Sequence, residues 1–250
     1  MKLPEPTAEA FRSGLAGPLA DMVEAYRLRE TQPGTGKSTP TLMAAAFEQL
    51  FDVMQRSDRD LAANRGAPGV EAEAITELGE YALELFEQSL HWANDLDLPE
   101  VFTALQAYTI ATARWIAGRG GRLLTLEAVV DAFARQANGT QDPGELLALY
   151  NAMSEALEAT ADVIRQDLEK TNPGRPWRIL HLNRAIVATR THQPDLMEEA
   201  FGALVENLPE DAAGFFSQGI EQMELLNYPP HVRAVMDRYY RKWSVNRSLH

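Results

Sequence analysis

Ile75-Thr-Glu-Leu-Gly-Glu-Tyr-Ala-Leu-Glu-Leu-Phe-Glu-Gln-Ser-Leu-His-Trp-Ala93 decides the fold class. Ile75, Leu78, Ala82, Leu85, Ser89 and Ala93 follow one another at steps of three and four. Five of the six are apolar, which marks one face of an α-helix. A strand would alternate every second residue, and this stretch does not. Ser89 is the exception, with Leu90 close to the same face.

The same spacing recurs along the chain. Leu146, Leu149, Met153, Leu157, Ala161, Ile164 and Leu168 extend it over 143–170, about eight turns. Helix boundaries carry their usual signals. Asp97 and Asp142 stand just ahead of Pro99 and Pro143, where a capping acid and a first-turn proline belong. Glu145 completes a capping-box pattern with Asp142. Thr125 can cap the helix bearing Val129, Val130 and Phe133. Gly118, Gly120 and Gly121 end the helix before it, and Asn138-Gly139 the helix after it.

The predicted fold is all-α: about ten antiparallel-packed helices at 7–30, 40–57, 70–94, 99–118, 125–137, 143–170, 176–191, 194–207, 209–226 and 229–246, as a helical bundle or α-solenoid. The first is expected to break at Gly17-Pro18. Thr31–Pro40 and Asp58–Gly69 read as loops. A single domain over 1–250 is preferred, with a subdivision near 58–70 as the alternative and a repeat-like part at 176–246.

The 250 residues include no cysteine, which excludes disulfides, thiolate metal sites and cysteine nucleophiles. The first residues hold one lysine and two prolines with no apolar run behind them, unlike a secretory signal. No apolar stretch approaches the ~20 residues of a membrane span. A cytoplasmic protein without a membrane anchor is therefore expected, and Asn138-Gly139-Thr140 reads as a helix-ending turn rather than a glycosylation site.

The net charge is −13. Residues 1–100 carry 8 basic and 18 acidic side chains, net −10. Residues 101–172 carry 6 and 9, net −3, and residues 173–250 carry 9 of each. Such acidity argues against nucleic acid as the partner of the whole chain.

In the last third, helices starting near 176, 194, 209 and 229 are offset by 33 and 35 residues. Met197-Glu-Glu-Ala-Phe201 with Leu204 resembles the second helix of a tetratricopeptide repeat, or of an α-solenoid repeat more generally. The resemblance covers about 70 residues and implies a concave groove that binds a partner peptide. It lacks a Trp-x-x-Leu-Gly signature, and Pro209 comes about three residues early, so groove residues are not assigned.

Pro33-Gly-Thr-Gly-Lys-Ser-Thr39 resembles the phosphate loop of P-loop NTPases, which cradles phosphates with backbone N–H groups and a lysine. Thr31 occupies the first glycine's place. Met22–Glu30 is amphipathic and charged where that family has an apolar strand. The segment is read as an interhelical loop in which Ser38 or Thr39 caps the next helix; nucleotide binding at 33–39 stays a minor alternative.

His91, His181, His192, His231 and His250 all lack a glutamate three residues before them, so the Glu-x-x-His pairs of di-iron bundles are absent. No His-Glu-x-x-His or Gly-x-Ser-x-Gly occurs. No catalytic residue, cofactor or metal ligand is assigned. Trp92, Trp115 and Trp177 read as core.

One segment differs from the rest. Tyr228–His250 holds Arg233, Arg238, Arg241, Lys242 and Arg247 against Asp237, net +4. Val232, Val235 or Met236, Tyr239 and Trp243 form a stripe able to dock on Phe216, Ile220 and Met223. Arg233, Arg238, Arg241 and Tyr240 are then the candidate partner-binding residues, arginine and tyrosine being enriched at binding hot spots. The alternative is a capping helix whose cations complement its own acidic chain. The expected function is a non-enzymatic helical scaffold or adaptor for a protein partner. The alternative is an anionic ligand or nucleic acid held by basic faces of the C-terminal third. Homo-oligomerisation is left open, since no heptad repeat marks a coiled-coil seam.

Overall fold

A computed structural model describes residues 2–29, 38–63 and 68–245. Among these the chain is all-α, with eleven helices and no strand: α1 Ala8–Leu28, α2 Pro40–Ala62, α3 Pro68–Asp95, α4 Pro99–Gly118, α5 Glu127–Gly139, α6 Pro143–Ala159, α7 Asp162–Arg165, α8 Pro176–Arg190, α9 Pro194–Asn207, α10 Pro209–Leu225 and α11 Pro230–Val245. The only extended pairing among them is an isolated bridge, Leu123 to Thr160.

The helices form two compact units, Met1–Gln136 with Glu158–Gln166, and Ala137–Leu157 with Asp167–His250. Both flanks of the 58–70 stretch lie within the first.

In the first unit α1 packs on α2, α2 on α3, α3 on α4, and α4 back on α1, closing a four-helix bundle. Neighbours run antiparallel. The start of α1 meets the end of α2, where Asp58 accepts from the Ala8 N–H, and Ile75 near the start of α3 meets Gly121 just after α4. The bundle centre is aromatic. Phe86 lies 5.0 Å from Phe47 between ring centroids, and Phe11 lies 5.4 Å from Tyr108. Edge-on and tilted pairs of this kind suit the ring quadrupoles.

The periodicity of 75–93 survives in the structure. Ile75, Ala82, Leu85 and Ala93 are buried, and so is Ser89, whose hydroxyl donates to the Leu85 carbonyl. A serine that bonds back into its own helix leaves no unpaired donor in the core. Helix α4 ends as its glycines predict. Gly120 has φ +75°, its N–H donates to Ala117 O, and Gly121 N–H donates to Ile116 O. This is a Schellman close.

Three local expectations are corrected. Helix α1 runs unbroken through Pro18, because Phe11, Leu15, Leu19 and Met22 stay buried along one face. Helix α6 stops at Ala159 instead of continuing to 170. There the backbone pairs elsewhere: Leu123 N–H donates to Ala159 O, and Ala161 N–H to Leu123 O. Leu168, apparently in phase, is exposed, and Asp167 adopts φ +48°. Thr125 does not cap α5. Its hydroxyl donates to Glu80 at 2.8 Å, and the Leu124 and Thr125 N–H groups donate to the same carboxylate.

In the second unit α8 packs on α9, α9 on α10, and α11 on both α9 and α10. Helix α11 docks by the predicted edge. Val232, Val235 and Met236 are buried, and Tyr239 packs 5.2 Å from both Phe216 and Phe201. Gly219 makes room for Met236, whose Sδ would lie 2.7 Å from a Cβ at that position. Helices α8 and α10 are each followed by a non-glycine residue in the left-handed region, His192 at φ 58° and Asn227 at φ 52°.

Candidate functional site

Most charged side chains placed inside the structure act as internal locks. Asp58, near the end of α2, accepts at Oδ1 from Trp115 Nε1 (3.0 Å) and Arg119 Nε (2.6 Å), and at Oδ2 from the Ala8 N–H (3.3 Å). One carboxylate thus caps α1 and ties it to α2 and α4. Arg119 also lies over the Trp115 ring, 4.7 Å from its centroid.

The second unit holds two such networks. Arg184, buried on α8, donates to Ser154 Oγ and to the Tyr150 hydroxyl, and pairs with Glu199 of α9. Burial is the main reason the Tyr150 hydroxyl is pushed up to about 12, opposed by the positive charge of Arg184. Arg175 pairs with Asp167, with side-chain exposures of only 7% and 5%. Arg178 pairs with Asp211 of α10, a bond that raises the guanidinium's already high pKa. The Arg178–Asp211 pair joins the first turns of α8 and α10, and Arg175 also reaches Glu210 there. Asp167 Oδ2 has no hydrogen-bond partner. Such groups hold helices together.

An open cleft lies on the first unit. Of about 570 Å³, it runs between α3 and the start of α5. Leu83 and Val129 are buried at its floor, and Glu84, Glu87 and Glu127 stand exposed along it. Tyr81 lines it at 46% exposure, and Leu124, next to the lining Thr125, is 48% exposed. Glu80 ties α3 to the chain just before α5 through its three hydrogen bonds. Exposed apolar side chains beside a concave surface are a usual mark of a binding face. This site was not among the sequence candidates. Its signal lay in the acids of α3, whose spacing matches that of the helix's apolar residues.

The predicted partner-binding residues lie on α11 as follows. Arg233 is half-buried and donates to the Tyr228 carbonyl (2.7 Å) and to Asn227 Oδ1 (2.7 Å), closing the turn before its own helix. Arg238 is exposed and pairs with Glu198 of α9. Arg241 is exposed and Tyr240 half-buried. Two of the three arginines therefore contact their own chain, and Arg241 stands exposed.

Of the P-loop-like segment, 33–37 lies outside the described residues. Thr39 caps α2 as expected, accepting from the Leu42 N–H, and the Ser38 carbonyl accepts from Trp92 Nε1. His250 and Arg247 also lie outside the described residues. Among the described residues no three His, Asp or Glu side chains gather as metal ligands, and no helix is long and apolar enough to cross a membrane. No protein-family model matches the chain, and no curated protein or solved structure is significantly similar to it.

Proposed function

We propose that this chain is a non-enzymatic helical scaffold of the cytoplasm that binds a protein partner. One observation carries the reading. The buried and half-buried charged clusters are engaged in holding helices together, whereas the cleft on the first unit leaves Tyr81 and Leu124 half in water. Proteins tend to cover such surfaces with other proteins.

The hairpins α8–α9 and α10–α11 support a solenoid-like second unit. Pro176 and Pro209 start their first helices 33 residues apart, near the repeat length of tetratricopeptide arrays. The exposed cations of α11, Arg238 and Arg241 above all, favour a second contact face there, with Arg233 and Tyr240 at its edge.

The test places a photo-crosslinking amino acid at Leu124 and, separately, at Arg241 in the native cell. The purified chain is screened in parallel for turnover of a broad substrate panel. Discrete protein adducts from either position, without turnover, are expected. Turnover with no protein adduct from either position overturns the proposal.

A further inference from the structure

The outward face of α3 carries Glu73, Glu77, Glu80, Glu84 and Glu87. Their steps of four, three, four and three place them on one stripe, about 21 Å long at the helical rise. Each successive pair is an i,i+3 or i,i+4 pair of like charges, which disfavours the helix. Three acids of the neighbouring α2 do have cationic partners: Arg12 of α1 bonds both Glu48 and Asp52, and Arg119 of α4 bonds Asp58. Among the described residues, no lysine or arginine pairs with any of the five stripe glutamates. The repulsion is left in place where the stripe runs into the cleft, whose floor is apolar and whose rim holds Tyr81.

We propose that this face docks a lysine- and arginine-rich helical segment of a partner protein, its cations along the glutamate stripe and one apolar side chain in the cleft against Tyr81. The inference rests on the protein-binding reading above and adds the chemistry of the partner. Charge complementarity selects the occupant. An anionic ligand or nucleic acid would meet four to five carboxylates, and the N-terminal N–H groups beside α5 that could have attracted it are already bonded to Glu80. A cationic helix matches both the length and the period of the stripe. The Tyr81 ring offers a face to a lysine or arginine that passes it. The cleft is large enough to take a bulky aliphatic or aromatic anchor.

The probe is a fluorescent amphipathic lysine–leucine peptide of about four helical turns, with a glutamate–leucine peptide as its counterpart. Binding to the full chain is read by fluorescence anisotropy at low and high salt. The lysine peptide is expected to bind at least about tenfold more tightly than its counterpart and to weaken with salt. The double variant Glu84→Gln/Glu87→Gln should weaken it about tenfold, and Tyr81→Ala several-fold, while Glu206→Gln, exposed on α9, leaves it unchanged. Circular dichroism confirms that each variant stays helical; removing like-charge repulsion should if anything favour α3. Binding of the lysine peptide that ignores the glutamine variants overturns the proposal, as does no preference over the glutamate peptide. If the glutamine variants instead change the sedimenting mass of the chain alone, a second copy covers the face and the proposal falls. If cellular crosslinks form only at Arg241, the scaffold reading stands and this docking face is wrong.

Discussion

In the first unit Ser89, Thr109 and Thr112 are among the polar side chains carried inside, and each of the three donates to the carbonyl four residues back in its own helix. In the second unit Arg175, Arg184 and Asp167 are carried inside and pair with groups outside their own helical turn. The first arrangement lets apolar and aromatic packing determine how the bundle fits together. The second makes the fit depend on charges finding named partners. A buried ion pair adds little stability over an apolar replacement, yet removing half of it strands a charge. The two units should therefore respond oppositely to the same kind of mutation.

The largest effect should come from Arg175→Ala, which strands the Asp167 carboxylate at 5% side-chain exposure. A loss of about 3–5 kcal/mol is expected in the second unit. Urea unfolding with hydrogen exchange on α8 and α10 checks it. The double variant Asp167→Asn/Arg175→Met should recover most of the loss. If Arg175→Ala costs under about 1 kcal/mol, the contrast between the units is broken.

Next comes packing. A Cβ at Gly14 would fall 1.6 Å from the Tyr108 hydroxyl, which itself donates to Ala10 O. Gly14→Ala should lower the stability of the first unit by about 1–3 kcal/mol. Gly214 in α10 meets nothing within 4 Å. Gly214→Ala should raise stability by about 0.5–1 kcal/mol, since glycine is a poor helix-interior residue. Thermal melts of the two variants test the pair.

Alkaline pH should weaken the second unit through Tyr150. The Tyr150 hydroxyl titrates at about 12 in the folded chain against an ordinary value near 10. Between these values the unfolded chain has released the proton and the folded one has kept it, so stability falls as pH rises from about 10 to 12. Tyr150→Phe should flatten that part of the decline in the second unit. Tyr228 there and Tyr108 in the first unit are also raised by burial, so a residual slope remains. Denaturation midpoints at pH values on either side of this window measure it.

The smallest effects belong to α11. Arg241→Glu should change stability by about 0.5 kcal/mol or less, being exposed. Arg238→Glu should lose only an exposed pair with Glu198, worth about 0.2–1 kcal/mol. Arg233→Glu should cost more, about 1–2 kcal/mol, because it breaks two bonds of the turn at 227–228. If the triple variant stays helical and its crosslinked partners are unchanged, α11 is a cap.

The helices were legible because burial imposes a period that one sequence displays: Ile75, Ala82 and Leu85 point inward as their spacing requires. What escaped were interactions between residues far apart in the chain. Asp58 capping α1 and Glu80 capping the approach to α5 leave no local pattern, since each carboxylate sits on a different helix from the N–H it satisfies. The end of α6 escaped for the same reason, as Leu123 supplies the competing backbone bonds to Ala159 and Ala161. The cleft was half legible. Its glutamates are spaced as regularly as the apolar stripe, but regular acids on a helix also describe an ordinary solvated face. Only the position of Tyr81 and Leu124 beside them distinguishes the two.

Tyr108 reaches back 98 residues to bond Ala10 O, and the α1–α4 contact it belongs to is the one that closes the bundle. That seam confronts the folding chain with its longest loop. The hairpins of the second unit need only short loops, Arg184 meeting Glu199 15 residues on. Low sequence separation speeds folding and long closure slows it. A chain emerging from the ribosome can pair α1 with α2, but the side of α1 that Tyr108 covers waits until α4 has emerged. The bundle is therefore where a folding chain would need chaperone cover, and the second unit is where it would acquire structure first once both are free of the ribosome.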